Sequence, residues 1–165
     1  MEINWDKYAR NSLGWEKDPI AIVHVRIFLG SAKSVDPIIL ATLGVSHVVN
    51  CATNEYSSEW FMEDFPGRHA CIGAFDSIHE DITHWYPFFE SVMNSFISSP
   101  DCRNIYVHCQ CGINRSPFLL LIYMCLKFDL EPANVIKNIL KQRPCAFQNP
   151  SFRIQAINYI KKHRD

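Results

Sequence analysis

No stretch of this sequence is apolar for long enough to cross a bilayer. The longest such run, Pro117 to Leu126, falls far short of a span. Met1-Glu2-Ile3-Asn4-Trp5-Asp6 has neither a basic start nor an apolar stretch, so no secretory leader is predicted, and neither end carries a lipidation motif. Strong charge of one sign is lacking too. A formal net charge of −1 gives no electrostatic reason to expect a nucleic-acid or anionic-membrane partner. Paired Cys-x-x-Cys knuckles are absent. The seven cysteines are odd in number, and several lie inside apolar runs, where a free thiol behaves as a small hydrophobe. This argues against a disulfide framework and predicts an intracellular address, cytoplasmic or nuclear. His108-Cys109-x-Cys111 has no fourth ligand at usable spacing, so neither a metal site nor a cofactor is expected.

What is present reads as one domain without repeats, low-complexity tracts or linkers. Residues 1–19 form an N-terminal segment, polar with scattered aromatics, that docks as a short helix or stays loose; a homodimer through it is compatible with the sequence. Residues 20–165 form the domain proper. Ile20 to Val25 and Arg26 to Leu29 read as strands ending at Gly30. Asp36-Pro37 opens a helix that Gly44 stops. Val45 to Cys51 and Arg68 to Ile72 read as strands, and residues 52–67 between them as mostly loop. From Asp81, a helix should bury Ile82, Trp85, Phe88, Phe89, Val92, Met93, Phe96 and Ile97 on one face. A strand at Asn104 to Val107 precedes an all-round apolar helix from Ser116 to Phe128. Helices over Pro132 to Gln142 and Pro150 to His163 complete an α/β fold, a single central, mostly parallel sheet flanked by helices.

The segment Val107-His108-Cys109-Gln110-Cys111-Gly112-Ile113-Asn114-Arg115-Ser116-Pro117 carries the chemistry. It is a loop between an apolar strand and a helix N-terminus, which presents unpaired amides and the positive end of the helix dipole to an anion. Gly112 permits the tight curl and Pro117 sits where a missing N–H costs little. If the loop wraps a phosphoryl group, the Cys109 thiol and the Arg115 guanidinium meet across it. The sulfur can then attack phosphorus in line while the planar fork of Arg115 holds two oxygens. The same amides and dipole favour a thiolate.

His108-Cys109-x-x-Gly112-x-x-Arg115-Ser116 resembles the signature of the cysteine-based protein tyrosine phosphatases. From about Val25 to Ile160 the chain is similar to the small dual-specificity phosphatases of that superfamily. Phe28-Leu29-Gly30-Ser31, His47-Val48-Val49-Asn50, and Asn149-Pro150-Ser151-Phe152 with Gln155 are the supporting matches. The resemblance implies a phosphatase fold and a roster of roles. Cys109 would form a phosphocysteine, Arg115 would bind the phosphoryl group, and Ser116 would help expel the sulfur. His108 would brace the loop, with Asn149 as a supporting residue. The backbone of Gln110, Cys111, Gly112, Ile113, Asn114 and Arg115 would cradle the oxygens. A general acid is also needed. Asp76, Glu80 and Asp81 are the candidates. Asp81 stands at a helix start, where capping occupies its carboxylate. Asp76 lies in the loop Ala74-Phe75-Asp76-Ser77, free to close over a substrate, and the family places its acid there.

The chain is short and no segment resembles the family's tyrosine-bearing loop, so phosphotyrosine and phosphoserine/phosphothreonine proteins are both expected as substrates. Two rivals stand beside this reading. An RNA 5′-triphosphatase or diphosphatase of the same superfamily also has Asn before Arg. A non-catalytic phosphate-binding module would keep the cradle without turnover. Asp76 and the absence of net basic charge favour the phosphoprotein; the uncharged Gln110, Cys111, Ile113 and Asn114 disfavour a polyphosphorylated inositol headgroup.

Overall fold

The computed structural model describes residues 2–8 and 17–164. Its strands are β1 (Ala21–His24), β2 (Ile27–Gly30), β3 (Val45–Asn50), β4 (His69–Cys71) and β5 (Asn104–His108), in the sheet order β1-β2-β5-β3-β4. Only the β1–β2 hairpin is antiparallel; β2–β5, β3–β5 and β3–β4 are parallel. The mostly parallel sheet expected from the sequence is therefore present. β5 is central and inaccessible: Ile105, Tyr106 and Val107 are fully buried, as apolar parallel strands covered on both faces must be.

The helices begin and end where short-range chemistry dictates. In α1 (Pro37–Leu43), Asp36 Oδ1 accepts from the amides of Ile38 and Ile39 at 2.9 and 3.1 Å, and Gly44 closes the helix at φ +68°. Residues 52–67 are not simply loop: Ser58 caps a short α2 (Glu59–Asp64), which buries Phe61 against Val35, Leu40, Val48 and Tyr106. A six-residue helix with one buried anchor is too short to show a periodicity. Trp60, its neighbour, is half-buried.

The helix predicted from Asp81 divides in two. Ile82–Trp85 is a 3-10 turn and α3 (Tyr86–Ser98) follows. Three residues per turn rotate side chains faster than 3.6, so the stripe slips in phase at the junction. Phe88, expected in the core, is consequently 53 % exposed, whereas Tyr86, Phe89 and Met93 are buried. Beyond it, α4 (Arg115–Phe128) is buried from Arg115 through Cys125. It runs between α5 (Pro132–Gln142) and α6 (Pro150–His163), over the sheet face opposite α1. No helix among the described residues is long and apolar enough to cross a membrane.

At the N-terminus, Trp5–Tyr8 make a single 3-10 turn. The Trp5 ring packs against Phe118 and Phe147, and Arg153 lies 5.1 Å over it. The rest of the expected N-terminal helix, residues 9–16, lies outside the described residues.

Candidate active site

The loop between β5 and α4 is shaped by what its carbonyls do. The carbonyl of Gln110 accepts from the Ala32 amide at 3.0 Å and that of Ile113 from the Phe147 amide at 2.7 Å. Those of Cys111 and Gly112 accept from Nη2 and Nε of Arg143, the latter at 2.9 Å. All four are turned outward into the scaffold. In a trans peptide the N–H points opposite to the C=O, so the amides of the following residues turn inward, towards one centre. Outward carbonyls and inward amides make an anion nest at the start of α4. Gly112 is required twice over. Its φ is +67°, and a β-carbon there would lie 2.4 Å from the Gly30 carbonyl oxygen.

Asn114 holds the first position before α4 without capping it. Its Oδ1 instead accepts from the amides of Gln148 and Asn149, both at 2.8 Å. Its Nδ2 donates to Asp76 Oδ2 at 2.9 Å. The helix N-terminus therefore stays free of an internal acceptor, as an anion site needs.

Cys109 is 2 % exposed at the base of the loop, and the Ser116 hydroxyl donates to its sulfur at 3.3 Å. His108, fully buried, lies behind it. Since a carbonyl can only accept, the 2.8 Å contact of His108 Nδ1 with the Cys109 carbonyl puts the proton on Nδ1. Burial pushes this imidazole down to about 4, so it is neutral.

Two arginines are buried here, in opposite circumstances. Arg143 is fully inaccessible and each of its nitrogens is engaged: it pairs with Asp18 at 2.8 Å and donates to the carbonyls of Pro19, Cys111 and Gly112. Ser31 and Ser34 donate to the other oxygen of Asp18. These partners hold the Asp18 carboxyl below its usual range, although its partial burial works in the opposite direction. Arg115 is 8 % exposed; its Nη1 donates to the Ala74 carbonyl at 3.1 Å and its Nε has no partner among the described residues. The described residues supply it with no carboxylate. A buried guanidinium without a counter-ion calls for an anion.

A pocket of about 530 Å³ opens beside Arg115 and Gln110, with Asp76 on its wall. The loop carrying Asp76 is not free to close, as the sequence suggested; it is already tied down. Asn149 Nδ2 donates to Asp76 Oδ1 at 3.0 Å and to the Ser77 carbonyl at 3.1 Å, and the Ser151 hydroxyl donates to the Ile78 carbonyl at 2.8 Å. Asn149 Oδ1 meanwhile caps α6 through Ser151 and Phe152. Asp81 does cap, accepting from the Thr83 amide at 3.0 Å.

The structure thus brings Cys109, Gln110, Cys111, Gly112, Ile113, Asn114, Arg115, Ser116, His108, Asp76 and Asn149 to one place. The side chain of Cys111 is exposed and only its carbonyl is engaged. Sequence reasoning missed Arg143 and Asp18, and missed Asn114 as a side-chain strut.

Residues 27–162 match the family model described as the dual specificity phosphatase catalytic domain. The chain belongs to that family. Tyrosine-protein phosphatase vhp-1 of Caenorhabditis elegans is 27 % identical over 152 residues, 88 % of this chain but 22 % of its own length. Dual specificity protein phosphatase 4 of Homo sapiens is 27 % identical over 139 residues, covering 81 % and 32 %. The chain thus spans a third or less of these two relatives. The crystal structure of human DUSP28 superposes with a TM-score of 0.74 at 24 % identity, covering 89 % of this chain and 96 % of that one. That likeness shows that the dual-specificity phosphatase fold, with its five-stranded sheet flanked by helices, is shared.

Proposed function

We propose that residues 20–165 form a metal-independent, cofactor-independent protein phosphatase acting inside the cell on phosphotyrosine and phosphoserine/phosphothreonine. One observation carries this reading most. Among the described residues, Arg115 is buried with an unsatisfied Nε and no carboxylate, beside a thiol and at the end of a loop whose amides turn inward. A tetrahedral dianion satisfies all of these groups at once.

The reaction has two steps. Cys109 Sγ attacks phosphorus, the bond to the substrate oxygen breaks, and Asp76 gives that oxygen a proton. Arg115 and the loop amides hold the equatorial oxygens as charge moves between the apical groups. In the second step Asp76 takes a proton from water, the water oxygen attacks phosphorus, and the S–P bond breaks. The electron pair returns to Sγ, where the Ser116 hydroxyl donates to it. Asn114 and Asn149 aim Asp76 by donating to both of its oxygens. His108 braces the Cys109 carbonyl throughout.

The test is hydrolysis of para-nitrophenyl phosphate and of phosphopeptides in excess chelator. Turnover should persist without metal and vanish in Cys109→Ser. Release of phosphate from triphosphate-ended RNA but not from phosphopeptides would instead identify an RNA phosphatase.

A further inference from the structure

Three carboxylates, from Glu55, Asp76 and Glu80, and two aromatic rings, from Tyr56 and Phe75, line the pocket beside Arg115. Among the described residues, Arg115 is the only cation in that lining. A phosphate dianion must therefore reach its guanidinium past the like charges of Glu55 and Glu80 on the rim. The rim opposes binding unless the substrate brings positive charge with it.

The rim is built into the fold. Fully buried Asn50 fixes the loop bearing Glu55 and Tyr56: its Oδ1 accepts from the Ala52 amide at 2.8 Å and its Nδ2 donates to the Thr53 carbonyl at 3.0 Å. Phe75 is 54 % exposed yet backed edge-on by Trp85, with ring centroids 6.0 Å apart. Gln155 holds the Glu80 carbonyl at 2.9 Å. Independently of the carboxylates, the unpartnered Nε of the nine-tenths-buried Arg115 marks where the phosphate sits. With the phosphate there, the residues flanking it cross Glu55, Glu80, Tyr56 and Phe75.

Resting on the phosphatase reading, we propose that this mouth selects phosphorylated segments carrying arginine or lysine within a few residues of the phosphorylated side chain, and rejects acidic ones. Arginine is the better fit, because its planar group stacks on a ring while pairing with a carboxylate. A 5′-triphosphate end adds negative charge and brings no cation, so the same rim turns it away.

The test is fluorescence anisotropy with the Cys109→Ser chain and two phosphotyrosine peptides of equal length, one flanked by arginines and one by glutamates. The basic peptide should bind about tenfold more tightly at low salt, with the gap narrowing as ionic strength rises. Adding Glu55→Gln and Glu80→Gln should shrink the gap to about twofold. In the chain that keeps Cys109, this pair should leave hydrolysis of para-nitrophenyl phosphate undiminished. Equal affinities, no detectable binding of either peptide, a gap that survives the double substitution, or tighter binding of triphosphate-ended RNA would each overturn the proposal. Failure to hydrolyse para-nitrophenyl phosphate would strike the phosphatase reading alone, since the binding comparison needs no turnover.

Discussion

Arg143 donates from Nε to the Gly112 carbonyl at 2.9 Å, and through it the shape of the loop depends on a residue 31 positions away in sequence. The guanidinium never reaches the pocket. It acts by turning carbonyls outward, and so decides which way the amides face. Arg143→Lys keeps the charge but cannot make the same set of bonds. We expect it to weaken inhibition by orthovanadate about tenfold or more, at roughly 2 kcal/mol or less of stability. Arg143→Met takes the cation from the part-buried Asp18, which keeps only its serine partners, and should cost more than the lysine variant, up to about 3–5 kcal/mol. Vanadate titration and urea unfolding separate the two effects; undiminished vanadate affinity in a folded Arg143→Lys chain would rule out the positioning role.

Gly112→Ala combines a positive φ with a β-carbon 2.4 Å from the Gly30 carbonyl oxygen. Neither the loop nor β2 can give way without moving the other. The substitution should destabilise by about 2 kcal/mol or more and reduce kcat/KM at least a hundredfold, on the order expected when oxyanion contacts are misplaced. Thermal unfolding and phosphopeptide kinetics check both halves.

Asp76→Asn should slow turnover of substrates with poor leaving groups while binding is retained. Rates should fall about 10²–10⁴-fold, the range for a lost general acid, and less for an activated phenol. Equal rates in variant and wild type at every pH would transfer the role to another group. Ser116→Ala should slow the second step more than the first, leaving a burst of phenol release ahead of a slow steady state.

The loop sequence was legible because its logic is local. Cys109, Gly112, Arg115 and Ser116 lie within eight consecutive residues, and the strand before them and helix after them follow from apolar patterning. Asp36-Pro37 and Asn149-Pro150 marked their helices for the same reason. Arg143 carried no such signal: in Lys141-Gln142-Arg143-Pro144 it reads as a polar helix end, and only the tertiary fold turns it inward. Asp18 sits in a segment without periodicity, at a φ of +49° that its sequence does not announce. Phe88 was misplaced because a 3-10 turn reset the helical phase. The tethering of the Asp76 loop depends on Asn149, which helix rules explain fully as a cap; its second use leaves no trace in the chain.

Acid should loosen the fold through His108. Burial holds this imidazole down to about 4, against an ordinary value near 6.5 in the unfolded chain. Between those values the unfolded state binds the extra proton and the folded state does not, so stability rises with pH across that window. The contribution is complete above about pH 6.5 and is progressively lost towards pH 4, amounting to roughly 3 kcal/mol. Urea unfolding from pH 4.5 to 7.5 should show this slope, and His108→Gln should flatten it. His24, His47 and His69 are also lowered by burial and add to the trend in the same direction.

The placement of β5 between β2 and β3 governs when the molecule becomes whole during synthesis. The ribosome delivers the first four strands while the middle of their sheet is still vacant, since β2 and β3 are joined only through β5. The keystone strand arrives late, and Arg143 and Asn149 later still. While the residues between β3 and β5 are being made, the growing chain therefore carries two unzipped strand edges, an interval in which a holdase has something to grip.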